Sequence, residues 1–197
     1  MSKLRSWLFR SFVIAVAALM VTSWLTPWWG SYSLQIGTSD VVRIFPYGLW
    51  QNLGGWSGFI KGLSEMPVWF TPLMWLYLVL CMAGLAFALW KMDKNIRLFG
   101  RNFNLPRLLI GIIGFSYVVV IIVFYFYAKF RVEQGGINFI GESYIALSPV
   151  TRGYVVCDYR IGLWLACAVG PSFLILALLR NMITGKAKNV ASLEAGA

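Results

Sequence analysis

The sequence predicts an all-α membrane protein: a four-helix bundle with a small extracytoplasmic antiparallel β-sheet formed by its two outer loops. Three observations carry this. Of 197 residues, 59% are hydrophobic and only 12% charged, whereas a soluble domain carries about 25% charged residues, and the mean hydropathy is +0.72. The apolar residues gather into four stretches of roughly twenty residues, the length that spans a hydrocarbon core about 30 Å thick as a helix. The two longer segments between them alternate apolar and polar side chains in the manner of strands.

The first apolar stretch, 11–29, is uncharged. Trp24, Pro27, Trp28 and Trp29 crowd its end, where a signal peptide would need the small side chains of a cleavage site, so it reads as a span. The others are 69–90, 108–128 and 161–179, none with an ionisable acid or base in its interior. Pro72 and Pro171 are expected to kink their helices. The chain reads as one four-helix membrane domain, with outer loops 30–67 and 130–160 and a small, polar, disordered tail over 184–197.

In the first outer loop, Tyr32, Leu34 and Ile36 alternate with Ser33 and Gln35. Gly37-Thr38-Ser39-Asp40 offers turn chemistry before the β-branched run from Val41 to Phe45, so the two read as a hairpin. Tyr47-Gly48-Leu49-Trp50 reads as another short strand or bulge, Gly54-Gly55 and Gly58 as a turn, and Phe59 to Leu63 as a helical turn. In the second loop, Tyr144 to Leu147 is a candidate strand ending at Ser148-Pro149 and adding to the same sheet. Outside the membrane, water solvates its edges, which lipid cannot do.

The net charge is +10, but the basic residues sort by side. Lys3, Arg5 and Arg10 precede the first span, Lys91, Lys94, Arg97, Arg101 and Arg107 separate the second and third, and Arg180, Lys186 and Lys188 follow the fourth, eleven of seventeen in all. By the positive-inside rule these segments and both termini face the cytoplasm, most simply at the cell membrane. Anionic headgroups account for the basic fringe, so the partners expected are the lipid bilayer and other membrane proteins, with no nucleic acid.

The sequence contains no histidine, which removes the usual general base, and its outer acids Asp40, Glu65, Glu133, Glu142 and Asp158 form no paired-carboxylate spacing. Its three cysteines match no zinc or haem pattern. No enzymatic activity, metal or cofactor is expected. The spans also lack the ionisable residues that mark most transporters and pumps. Small residues four apart, Gly84 and Ala88 in the second span and Ala166 and Gly170 in the fourth, are candidates for close helix packing, within the bundle before between copies. Trp28, Trp29, Trp69 and Trp90 sit at predicted helix ends, where the aromatic belt explains them, the alternative for Trp28 or Trp29 being a packing role in the loop.

Trp29 followed by Gly48-Leu49-Trp50 resembles the first-loop signature of the claudin and peripheral-myelin-protein group of tetraspan proteins. The resemblance implies cytoplasmic termini, a sheet built from both outer loops, and a structural role for Trp29, Gly48, Leu49 and Trp50 in seating that sheet on the helices. The family's pair of disulfide-linked cysteines is absent here, where the chain reads Gln51-Asn52-Leu53-Gly54. Trp50 is expected to be buried between sheet and helix ends, with Gly48 letting the backbone pass close, and Trp56 to be exposed.

The leading expectation is a non-catalytic, claudin-like membrane protein that associates laterally or face to face with other proteins. The alternatives are an accessory or anchor subunit of a larger membrane enzyme or transport complex, and an oligomeric small-solute pore or carrier. The topology is directly testable. An impermeant thiol reagent should label a cysteine introduced at Ser39 or Ser143 from outside intact cells, and one at Asn95 only after permeabilisation. Labelling of Asn95 in intact cells would reverse the orientation.

Overall fold

A computed structural model describes residues 3–33, 40–53, 56–59, 68–92, 95–98, 101–134, 136–146 and 152–184. Four helices, α1 (Lys3–Leu25), α2 (Phe70–Trp90), α3 (Leu105–Gln134) and α4 (Ile161–Thr184), are each long and apolar enough to cross a membrane. They make the chain a multi-pass membrane protein by length and composition. The other elements are strands: β1 (Trp29–Tyr32), β2 (Asp40–Phe45), β3 (Gly48–Leu53), β4 (Trp56–Phe59), β5 (Asn95–Leu98), β6 (Arg101–Asn104), β7 (Gly141–Ala146) and β8 (Arg152–Tyr159).

The helix ends differ from expectation for local reasons. Helix α1 begins at Lys3 and stops at Leu25, short of Trp29, because Pro27 has no N–H to donate and disfavours helical dihedrals at Thr26. Helix α3 outruns its apolar stretch at both ends. At its start the Arg107 N–H donates to Asn104 Oδ1 at 3.5 Å, an N-cap. At its end Gly136 (φ 73°) donates to the Glu133 carbonyl and Ile137 to the Val132 carbonyl, the paired bonds of a Schellman stop. Pro72 falls in the first turn of α2, where a backbone N–H has no helical acceptor anyway, so it does not break the helix; Pro171 lies inside α4.

Both long loops contribute to one six-stranded sheet in the order β4-β3-β2-β1-β8-β7, with every pair antiparallel. Of the expected hairpin, the second strand, Val41 to Phe45, lies in β2 and pairs with β1; of its first strand, Tyr32 to Ile36, only Tyr32, at the end of β1, and Ser33 are among the described residues. Tyr47 to Trp50 belongs to β3 and its turn. Strand β8 is an addition to the expected sheet, although Tyr154-Val155-Val156 is β-prone. Gly58 lies inside β4 rather than at a turn. The turns expected at residues 37–39, 54–55 and 148–149, the helical turn beyond Phe59, and the tail from 185 onward fall outside the described residues. A separate two-stranded sheet, β5-β6, occupies the basic segment between α2 and α3.

The chain divides into two compact units. One comprises residues 1–19, 79–118 and 168–197, the other residues 20–78 and 119–167. In the first, α3 and α4 cross backbone to backbone. A Cβ on Gly114 would lie 2.8 Å from the Phe173 Cβ and 3.0 Å from the Gly170 carbonyl oxygen, and one on Gly170 would lie 2.6 Å from Val118 Cγ2. A Cβ on Gly84 would approach Ile113 Cδ1 at 3.1 Å, so this glycine seats α2 on α3. Arg180, read from the sequence as part of the cytoplasmic fringe, instead lies within α4 and is 1% exposed. Its guanidinium donates to the Met92 carbonyl just past α2 and lies 6.0 Å from the Phe9 ring of α1. A cation so placed is costly to bury and costly to deprive of its acceptor.

The crossing yields a paired prediction. Gly114→Ala should lower the thermal unfolding midpoint in detergent by an overpacking penalty of about 1–3 kcal/mol. Gly111→Ala should be tolerated, because its Cβ would meet Ala177 Cβ at an ordinary 3.6 Å. Equal responses would show that α3 and α4 do not meet at Gly114.

Candidate association surface

The second unit builds its platform from the end of α1. Immediately after Pro27, Trp28 N–H donates to the Ile44 carbonyl at 2.8 Å, and the Trp28 carbonyl accepts from Arg160 N–H at 3.0 Å. The Trp28 indole N–H reaches back to the Ser23 carbonyl at 2.8 Å. Helix α4 starts against the same corner. Ser23 Oγ donates to the Gly162 carbonyl at 2.8 Å, and a Cβ on Gly162 would sit 2.6 Å from the Thr26 and Pro27 carbonyl oxygens. The aromatic-belt reading of Trp28 and Trp29 is therefore wrong, as both are buried, at 0% and 2% exposure. Trp69 and Trp90, at 62% and 73%, keep the exposure a belt requires.

Side chains alternate across the sheet and sort it into two faces. Register places Trp29 beside Ile44 and Tyr159, with Leu49 next in line. On this face Trp29, Ile44, Leu49, Val155 and Cys157 form a core with Ala128 of α3 and Phe139. The Trp29 ring stacks on Phe139 at 5.8 Å and its indole N–H donates to the Phe139 carbonyl at 2.6 Å. Burial pushes the Cys157 thiol up to about 11, which leaves it protonated and inert at neutral pH.

On the other face, Asp40 accepts from Arg43 Nε at 2.7 Å and from Arg160 Nη2. The Arg160 side chain crosses β1 where Gly30 leaves room, since a Cβ there would lie 2.8 Å from its Nε. This ion-paired cluster ties β2 to the junction of β8 and α4 across the intervening strand. Sequence reasoning takes Asp40 as a turn residue and a solvated or salt-bridged loop acid; the short spacing to Arg43 is visible there, but the partner 120 residues away is not.

Of the four signature residues, Trp29 and Leu49 enter the core. Trp50 does not. It points from the adjacent position of β3 to the opposite face, where it is half-buried with the Arg43 guanidinium carbon 4.8 Å from its ring centroid. Gly48 is buried, but a Cβ on it would meet only Thr71 Oγ1, at 3.9 Å, so no close backbone passage requires it. Instead, Thr71 Oγ1 donates to the Tyr47 carbonyl at 2.8 Å and Tyr47 packs on Trp75 at 4.9 Å, which fixes the β2–β3 turn to the start of α2. The side chain of Trp56 lies outside the described residues. Ala88 and Ala166 are fully buried.

Among the described residues, β7 is paired on one side only, by β8. Its Tyr144 is 68% exposed and packs against Tyr154 at 5.7 Å. The Tyr154 hydroxyl is pushed up to about 12, chiefly by its hydrogen bond to the Glu142 carboxylate. Ser143, between these residues, is buried, and its Oγ accepts from Asn138 N–H at 2.6 Å. Tyr144 is thus the better position for a surface-labelling cysteine.

No protein-family model matches the chain, and no curated protein matches it. Among the described residues, no three metal-ligating side chains come together.

The two faces predict different costs for neighbouring substitutions. Leu49→Ala, which opens a cavity in the sheet's core, should cost about 2–5 kcal/mol, whereas Trp50→Ala should lose mainly an outward cation–π contact of about 1 kcal/mol. Thermal unfolding of both variants in detergent checks this. A larger loss for Trp50→Ala would mean that the faces are assigned the wrong way round.

Proposed function

We propose that this protein is a non-catalytic, claudin-like tetraspan of the cell membrane, with cytoplasmic termini, whose extracytoplasmic sheet mediates association with other membrane proteins, copies of itself included. The observation that carries the reading is the sheet's construction. Two loops separated by two membrane-length helices form a single six-stranded surface, and its β7 edge carries the exposed Tyr144 beside Tyr154 and Glu142. An edge strand presents backbone donors and acceptors that another strand can complete, and aromatic residues dominate the energetics of protein contacts. The basic residues at the start of α1, in and beside the α2–α3 segment and beyond the end of α4, ten of the seventeen once the buried Arg180 is set aside, support the orientation. The presence of both Trp29 and Leu49 in the sheet core supports the structural role that the family resemblance implies for them.

Light scattering in mild detergent tests the reading. The wild-type chain should run as an oligomer, and Tyr144→Lys, which places a charge on the edge, should weaken self-association roughly tenfold or more. Co-purification of a larger, different chain in stoichiometric amount, with no self-association, would favour the accessory-subunit alternative. A monomer that brings down no partner at any concentration would sink the association reading.

A further inference from the structure

Between α2 and α3 the chain forms a hairpin of its own, β5-β6, which pairs with no strand of the larger sheet among the described residues. Its register pairs Asn95 with Asn104, Ile96 with Phe103, Arg97 with Asn102 and Leu98 with Arg101. Successive positions of a strand belong to opposite faces, so residues 96, 98, 101 and 103 share one face and residues 95, 97, 102 and 104 the other. Residue type follows that division. The second face is wholly polar, three asparagines and Arg97, whereas the first carries Ile96, Leu98 and Phe103, with Arg101 at the end away from the helices.

The helices fix the depth at which this hairpin starts. Strand β6 runs into α3 with no intervening residue, and Asn104 caps that helix through the Arg107 N–H. The uninterrupted apolar stretch of α3 begins at Leu108, about 6 Å further along the helix axis, and headgroups occupy about 5–8 Å on either side of the hydrocarbon core. Asn104 therefore stands within the headgroup layer. The end of α2 carries Trp90, which is 73% exposed, with Lys91 Nζ 4.5 Å from its ring centroid. Such an aromatic ring and a long cationic side chain both rest at headgroup depth.

Composition then decides how the hairpin lies. A two-stranded hairpin is at best marginally stable in water. One standing away from the bilayer would carry its apolar positions out over about 13 Å, the length of four strand residues. Laid along the membrane surface, it buries the Ile96-Leu98-Phe103 face at the boundary of headgroups and acyl chains and keeps the asparagine face in water, as amphipathic surface segments do. Charge sets which surface it prefers. From Lys91 to Arg107 the sequence has five basic residues and one acid, Asp93, a balance that anionic headgroups complement. Arg101 is the basic residue on the face that meets the bilayer, and a guanidinium at phosphate level matches a phosphate in geometry and sign.

We infer that the β5-β6 hairpin is a surface anchor for anionic phospholipid, with its Ile96-Leu98-Phe103 face on the bilayer and Arg101 at the phosphates. The inference rests on the four spans, and not on the sheet as an association surface or on the side that the termini face. Hydrogen exchange of the full chain, read by mass spectrometry in nanodiscs of phosphatidylcholine alone and of an equal mixture with phosphatidylglycerol, tests it. Both leaflets of a nanodisc share one composition, so orientation does not enter. Amides of residues 95–104 should exchange roughly tenfold more slowly in the anionic discs, and high salt should erase the difference, while amides of β8 exchange alike in both. Arg101→Gln should remove most of the dependence on phosphatidylglycerol, Arg97→Gln on the opposite face should remove less, and Phe103→Asn should speed exchange of the hairpin in both kinds of disc. Ile96→Asn serves as a second variant of the apolar face, and each variant's thermal midpoint in neutral detergent reports whether the bundle is folded. Equal exchange of the wild-type hairpin in the two discs would show that it packs on the protein's own helix ends instead. That result, slowing that extends equally to β8, a lipid dependence that survives Arg101→Gln, or unchanged protection in both folded apolar-face variants would each overturn the assignment.

Discussion

The sheet depends on how abruptly α1 ends. Pro27 stops the helix, and the chain enters a strand two residues later, with no loop to absorb error. That strand, β1, lies in the middle of the sheet, bonded to β2 on one side and β8 on the other, so both loop contributions take their register from it. The corner is over-determined by backbone bonds from Trp28 to Ile44 and Arg160, and from Gly162 to Pro27. Each is short-range in space and long-range in sequence. A polar backbone leaving a membrane span must find partners at once, and here it finds them in the strands.

Two tryptophans at this corner illustrate a limit of position-based reading. Trp28 and Trp29 stand at the end of an apolar stretch, as belt residues do, yet their rings turn inward onto Phe124 and Phe139. Trp69 and Trp90 occupy similar sequence contexts and are exposed. The difference lies further along the chain. Beyond Trp28 and Trp29 the backbone builds a sheet directly over them, and neither the packing partner Phe139 nor the acceptor carbonyl it provides is near in sequence.

Much of the architecture was legible because it rests on local signals. The four spans follow from apolar length, and β2, β3 and β7 from β-branched and aromatic runs bounded by turn residues. Gly84 and Gly170, which small-residue spacing picks out, lie where an added Cβ would meet Ile113 and Val118. What was not legible depends on long-range placement. The face to which Trp50 points is fixed by pairing of β3 with β2, and one position along the strand separates it from the buried Leu49. Gly114, where α3 meets the Gly170 backbone of α4, has Ile110 and Val118 four positions away in α3, so no small-residue spacing marks it. The burial of Arg180 and the clamp of Arg160 onto Asp40 join residues that no sequence window contains.

The central position of β1 also sets a timetable for biogenesis. The strands from the first loop can pair among themselves as soon as they are made, but the free side of β1 waits for β8, and its ring partner Phe139 lies 110 residues further along the chain. In between, α2 and α3 must be synthesised and inserted. A nascent protein therefore carries an open strand edge and an uncovered Trp29 through the insertion of half its spans, a state prone to wrong pairing with any neighbouring edge. Arrival of the last loop closes the sheet.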